Sequence, residues 1–263
     1  MSERHEKVSV MAAASPILQR LEIVNDCPCV ALRDEEQAIA VLNDLVVSGR
    51  GGYSVAINAE KIVFYGSRSD VRALINKASL PYADGAGAVL SMRWLHGKKA
   101  SKINMPMACI AGAERHGWRL FVLGASEEVN RKAVAEMFER HPKLNVVGRM
   151  NGYEPEEVRL RSILDARPQV LMVALGSPAQ ELFAAKVLQH APGVFVVGCG
   201  GALDILAGRI KRAPRFMVDH GLEWLYRLAH EPRRWKRQMV LPYFMGLLAI
   251  AACRARLRPT GPR

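Results

Sequence analysis

Nowhere does this chain of 263 residues present the roughly 20 consecutive apolar residues that a helix needs to cross a bilayer; its longest apolar run, Met239 to Cys253, covers 15 and contains Pro242 and Gly246. The opening segment, Met1 to Val8, is charged and has no apolar stretch of the kind a secretory signal requires. Cysteine is scarce and unpaired in pattern. The five, at 27, 29, 109, 199 and 253, are odd in number, and Cys27-Pro28-Cys29 has no partner pair with which to enclose a zinc ion. Such cysteines read as free thiols of a reducing compartment. Also missing are internal repeats, low-complexity tracts, and any strand that runs into Gly-x-Gly-x-x-Gly with an acid about 20 residues later, the pattern of a nicotinamide-binding domain. These absences leave a compact domain with an appendage, expected in the cytoplasm and, where it meets a membrane, peripheral on it.

What is present is apolar and unevenly charged. Half of the residues, 50%, are hydrophobic, enough for one substantial core. The formal net charge is +12, and from Arg209 onward thirteen Lys or Arg face three acids (Asp219, Glu223, Glu231), so +10 of it sits in the last fifth of the chain. A nearly neutral body with a basic tail suits an anionic surface, either nucleic acid or an acidic lipid leaflet. The tail mixes its arginines with the run from Met239 to Cys253, which a solvated phosphate-binding face would not carry. Lipid is therefore favoured and no nucleic-acid partner is expected; a nucleotide-binding protein with a nucleic-acid-binding tail is the alternative.

Hydrophobic periodicity divides the chain into three. Residues 1–25 show little of it and are expected to be a loose arm. Residues 26–213 alternate strands and helices, which predicts an α/β fold with a mostly parallel Rossmann-like sheet covered by helices on both faces. The expected strands are Tyr53 to Ile57, Pro81 to Ala83, Leu120 to Leu123, Val146-Val147, Gln169 to Leu175 and Val194 to Val197. The expected helices include Glu35 to Val47, Ser69 to Ala78 with Ser69 as its N-cap, Glu127 to Arg140 and Ala179 to His190. Residues 214–263 are read as a helical, basic appendage, two helices split at Glu231-Pro232.

Two glycine-rich strand ends are expected side by side: Gly176-Ser-Pro-Ala-Gln-Glu181 after the strand from Gln169, and Gly198-Cys-Gly-Gly201 with Asp204 after the strand from Val194. Ligands of open α/β sheets bind outside the carboxyl ends of the strands, where loop N–H groups hold phosphate. The pattern predicts a bound nucleotide.

Further motifs follow in order: Ala56-Ile-Asn-Ala-Glu60, Tyr82-Ala-Asp-Gly85, Phe121-Val-Leu-Gly124, Gly148 with Asn151-Gly-Tyr153, Lys211-Arg-Ala-Pro214 and Gly221-Leu-Glu-Trp-Leu-Tyr-Arg227. With the two glycine-rich ends they make the chain similar, from about Tyr53 to Leu241, to the WecG/TagA/CpsF glycosyltransferases, cytoplasmic peripheral membrane enzymes of bacterial surface polysaccharide synthesis. The resemblance implies transfer of a sugar from a UDP-sugar donor to an undecaprenyl-diphosphate-linked sugar acceptor, with inversion, no cofactor and no metal. It also implies an anionic inner-leaflet surface as partner and a homo-oligomer, dimer or trimer.

Inversion requires direct displacement, so one base must take the acceptor proton while another group neutralises the departing UDP. Asp84 matches the family's base; as an Asp before Gly it can equally cap the following helix. The chain has no Asp-x-Asp to hold a divalent cation. Neutralisation then falls to arginines, and Arg212, Arg227, Arg234 and Arg237 occupy the positions where the family carries them; Arg227 and Arg237 are read as catalytic. Asn58 and Gln180 match polar positions near sugar and acceptor, or each ties a loop. Asp204 can accept from a ribose hydroxyl or cap a helix; Gly200 and Gly201 make room for a diphosphate or only turn the chain. Tyr153 stacks on uracil or packs in the core. One element departs from the family. Where Arg-Val-x-Gly-x-Asp is expected the chain has Lys102-Ile-Asn-Met-Pro-Met107, and Lys102 keeps a charge without the bidentate fork. That change favours a hexose such as glucose over N-acetylmannosamine or its uronic acid.

Overall fold

The computed structural model describes residues 19–210, 216–217, 225–226 and 239–257. Eight strands, β1 (Arg20–Glu22), β2 (Pro28–Val30), β3 (Gly52–Ile57), β4 (Leu80–Ala83), β5 (Leu120–Gly124), β6 (Val146–Met150), β7 (Val170–Ala174) and β8 (Phe195–Gly198), form one sheet in the order β1-β2-β4-β3-β8-β7-β5-β6. Only β1 runs antiparallel to its neighbour. Around the sheet lie α1 (Glu35–Val47), α2 (Ala59–Ser67), α3 (Ser69–Lys77), α4 (Ala86–His96), α5 (Met105–His116), α6 (Glu127–Arg140), α7 (Glu156–Ala166), α8 (Ala179–His190), the short α9 (Ala202–Leu206) and α10 (Val240–Leu257). This is the α/β architecture expected, with a helix beyond the last strand.

The central strands are apolar on both faces, as a parallel sheet between two helical layers requires. In β5, Leu120 and Val122 face one layer while Phe121 and Leu123 face the other; in β7, Val170 and Met172 oppose Leu171 and Val173. The first layer holds α1, α5, α6 and α9 through Ile39, Met105, Met137 and Leu203. The second holds α2, α4, α7 and α8 through Ile62, Met92, Ile163 and Phe183.

Local chemistry sets where the helices begin. The Asp34 carboxylate accepts from the Gln37 N–H (2.8 Å), and Glu35 and Glu36 sit at the positive end of the α1 dipole. The Ser126 hydroxyl accepts from the Val129 N–H at the start of α6. At α3 the expectation fails: Ser69 is already inside the helix, and Arg68 holds the cap position with its guanidinium turned to the Asp70 carboxylate (Nε to Oδ1, 3.1 Å).

Two strands differ from the sequence reading. Residues 20–22, assigned to the loose arm, pair with β2, and the Arg20 guanidinium donates to the carbonyls of Ala78 (2.6 Å) and Ser79 (3.1 Å). Three residues that are largely exposed leave no apolar period to detect. Strand β6 continues past Val147 to Met150, because main-chain pairing with β5 carries Gly148 and the exposed Arg149 along an edge where side-chain burial is slight.

Helix α10 divides the apolar run in two. Phe244 and Leu248 are 1% and 0% exposed in the core of the second layer, while Tyr243 (61%) and Ile250 (52%) face outward. One stripe of the run thus docks on the protein itself and the other is left outward. No helix among the described residues is long and apolar enough to cross a membrane.

Because Phe244 is buried against α2 and α4, Phe244→Ala is expected to cost about 3–5 kcal/mol of stability in urea unfolding. A loss below about 1 kcal/mol would show that α10 is not part of the cooperative core.

Candidate active site

Strands β2 to β8 are parallel, so their carboxyl ends share one edge of the sheet. The helices that leave β3 and β7 pass to one layer and those that leave β8 and β5 to the other. The connections on either side of β8 therefore diverge to opposite layers, the topological switch outside which α/β sheets bind ligands in a crevice.

Asn58 and Asp84 stand at its first wall. The register pairs Ile57 with Ala83, so the next residues on β3 and β4 lie abreast, and the Asp84 N–H donates to the Ile57 carbonyl at 2.8 Å. Asp84 is half-buried, and the N-cap of α4 is Gly85, not Asp84. Asn58 caps α2 by accepting from the Lys61 N–H at 2.9 Å, which is the loop-tying role weighed for it. Beneath them Tyr82 is buried, and its phenol is pushed well above its ordinary range, first by burial and then by Asp84, with Cys199 and Glu181 behind it. The phenol therefore stays neutral.

The floor is built by β8 and β7. Gly200 and Gly201 are exposed, with nothing within 4 Å of where a Cβ would stand, so the backbone there is open to close approach. Asp204 lies within α9 and does not cap it, since Gly201 holds that position; its carboxylate is 3.6 Å from the Arg209 guanidinium. After β7 the chain turns through Gly176 into α8, where the Gln180 N–H donates to the Gly176 carbonyl at 2.8 Å.

Tyr153, in the turn after β6, is 84% exposed, which removes the core-packing alternative. Lys102 is exposed in the segment between α4 and α5; its neighbour Ser101 donates to the Leu32 carbonyl just past β2, which places Lys102 on the same edge of the sheet. Arg212, Arg227, Arg234 and Arg237 lie outside the described residues.

Residues 25–258 match the family model described as the Glycosyl transferase WecG/TagA/CpsF family. The chain belongs to that family. It is accordingly a glycosyltransferase of cell-surface polysaccharide synthesis, a class that uses a sugar-nucleotide donor and a lipid-linked acceptor.

For a transferase of this family the edge described above holds one feature that sequence reasoning missed. The Glu181 carboxylate is 3% exposed and paired with the Lys61 ammonium (15% exposed) at 2.8 Å, beneath Asn58 and Gln180. A signal for it exists: Glu181 lies three residues before Ala184 and two before Phe183 on the core stripe of α8, where a solvated acid has no place.

The cap and any substrate contact of Asn58 can be separated. Asn58→Ala is expected to lose about 1 kcal/mol of stability while Asn58→Asp, also a good N-cap, keeps it. Transfer that survives in Asn58→Asp as fully as stability does would limit the residue to capping.

Proposed function

We propose that this chain moves a hexose, glucose or an N-acetylmannosamine-type sugar, from a UDP-sugar to a hydroxyl of an undecaprenyl-diphosphate-linked saccharide, with inversion and without a metal, at the cytoplasmic face of the membrane in exopolysaccharide or other surface polysaccharide assembly. One observation carries the reading. Asp84 stands abreast of Asn58 on the same sheet edge as the open backbone of Gly200 and Gly201.

In that arrangement the Asp84 carboxylate takes the proton of the acceptor hydroxyl as its oxygen attacks the anomeric carbon and the bond to UDP breaks on the opposite side. Asn58 and Gln180 hold sugar hydroxyls. Gly200 and Gly201 let the diphosphate approach the main chain, Asp204 accepts from the ribose, and exposed Tyr153 stacks on the base. Negative charge developing on UDP is met by Arg227 and Arg237, with Arg212 and Arg234 on the donor and Lys102 at the rim. The outward stripe of α10, with Tyr243, Ile250 and exposed Arg254, supports contact with an anionic leaflet, each basic residue adding about 1 kcal/mol near the surface.

The test is Asp84→Asn with UDP-glucose and a short-chain lipid-diphosphate acceptor, read by product mass. Turnover is expected to fall on the order of 10²–10⁴ while UDP still raises the melting temperature; near-normal turnover would remove Asp84 as the base. Activity in excess EDTA is expected to persist, and a strict need for Mg²⁺ or Mn²⁺ would overturn the arginine-based account.

A further inference from the structure

At the carboxyl edge of the sheet one buried amide gathers the ends of two strands. Asn130, in α6, is 0% exposed. Its carboxamide nitrogen donates to the carbonyls of Val122 (3.2 Å), Gly124 (3.0 Å) and Met150 (3.0 Å), so the last residue of β5 and the last residue of β6 are held by one group. Carbonyls only accept, which fixes the nitrogen toward them and turns the amide oxygen to the Arg149 guanidinium at 3.5 Å. That guanidinium is itself anchored on the Glu127 carboxylate at 2.7 Å.

The chain just beyond this clasp is tied to its neighbours. Ala125 takes a left-handed backbone, φ 55°, which a residue with a Cβ keeps only where its surroundings impose it. Its N–H donates to the Ala174 carbonyl at the end of β7 (3.1 Å), and its carbonyl accepts from the Gly152 N–H (2.8 Å). Gly152 comes so close that a Cβ there would stand 2.8 Å from the Leu175 side chain and 3.2 Å from the Gly124 Cα. The Asn151 carboxamide accepts from the Tyr153 N–H (2.9 Å) and donates to the Glu154 carboxylate (3.0 Å). On this base the Tyr153 side chain is 84% exposed. A fixed main chain keeps the ring from folding back onto the protein, and a preorganised aromatic face is what a base stacks on at least entropic cost.

Resting on the proposed transfer from a UDP-sugar, we infer that Asn130 is a positioning residue for the base of the nucleotide: by clasping the ends of β5 and β6 it fixes the turn that carries Tyr153, so that the ring stands where uracil stacks. An amide is needed because a carboxylate has no N–H to give the three carbonyls and a hydroxyl has a single proton. An apolar residue of the same size would leave those carbonyls without their donor and let the turn relax.

The test is calorimetric binding of UDP to the full chain and to three variants, Asn130→Ala, Tyr153→Ala and the two combined. Tyr153→Ala is expected to weaken UDP about tenfold, as loss of one stacked base does, and Asn130→Ala about fivefold or more, as the ring loses its preorganisation. The combined variant is expected to lose no more than about twofold beyond Tyr153→Ala, since both changes remove one contact. An Asn130 that only stabilises the fold would lower the melting temperature and leave UDP affinity as it was. That result, losses that multiply, or UDP binding unchanged by Tyr153→Ala would overturn the inference. Should Asn130→Ala not fold, Asn130→Ser keeps one donor and is held to the same coupling with Tyr153→Ala.

A second measurement needs no nucleotide. In ¹⁵N relaxation the main-chain amide of Tyr153 is expected to have an order parameter of about 0.85 in the wild type and below about 0.6 in Asn130→Ala. Equal values would refute the holding of the turn. A wild type that binds no UDP would instead refute the proposed donor, and the relaxation comparison would still decide whether Asn130 holds the turn.

Discussion

Strands that are apolar on both faces must be covered on both faces, and covering them with helices drawn from the connections forces those strands to run parallel. Once β2 to β8 are parallel, every loop that leaves a strand by its carboxyl end emerges on one side of the molecule. The candidate edge follows from that burial. Asn58, Asp84, Gly200 and Gln180 are far apart in sequence, yet each is the residue, or within a few residues of it, at which a buried strand gives way to a loop or helix. Chemistry of this kind cannot be moved to the opposite edge without reversing the sheet.

The same burial accounts for which groups stay silent. Cys27 and Cys109 have their thiols pushed up to about 12 by desolvation, and Cys29 and Cys199 are raised well above the ordinary range. At neutral pH they are thiols, poor nucleophiles and poor ligands. Tyr53 is raised to about 12 by burial and by the charge of Glu181, and its hydroxyl donates to the Leu74 carbonyl at 2.6 Å. Among the described residues the Lys61–Glu181 pair stands out against this neutral background, a charge kept in the interior where most charges would be excluded.

Much of the fold is legible in the residues because local and global preferences agree. Helices α1, α6 and α8 have the spans expected from apolar period, caps and first-turn acids. Strands β5, β7 and β8 stand out as apolar runs bounded by glycine. The glycine-rich ends and the Ala-Asp-Gly turn do arrive at one sheet edge. What escaped has physical causes. Strand β1 is held by main-chain pairing and by Arg20, not by an apolar face. Arg68 takes the cap position because it is the single residue between α2 and α3, closing one helix and opening the other. The Glu181 pair is a contact between residues 120 positions apart, and periodicity within one helix says which face a residue takes but not what waits there.

Helix α10 shows how a single apolar run can serve two surfaces. At 3.6 residues per turn Phe244 and Leu248 share one stripe and Tyr243 and Ile250 fall on another. The inner stripe packs in the layer built by α2 and α4, the helices that begin just after Asn58 and Asp84. Anything that draws the outer stripe toward a lipid surface therefore pulls on the helices whose first turns form the wall of the crevice. Packed interiors deform little, so the wall and α10 move as one body. In that geometry the outward stripe of α10 and the first turns of α2 and α4 keep a fixed relation, which suits a transferase of a family whose acceptor is lipid-linked.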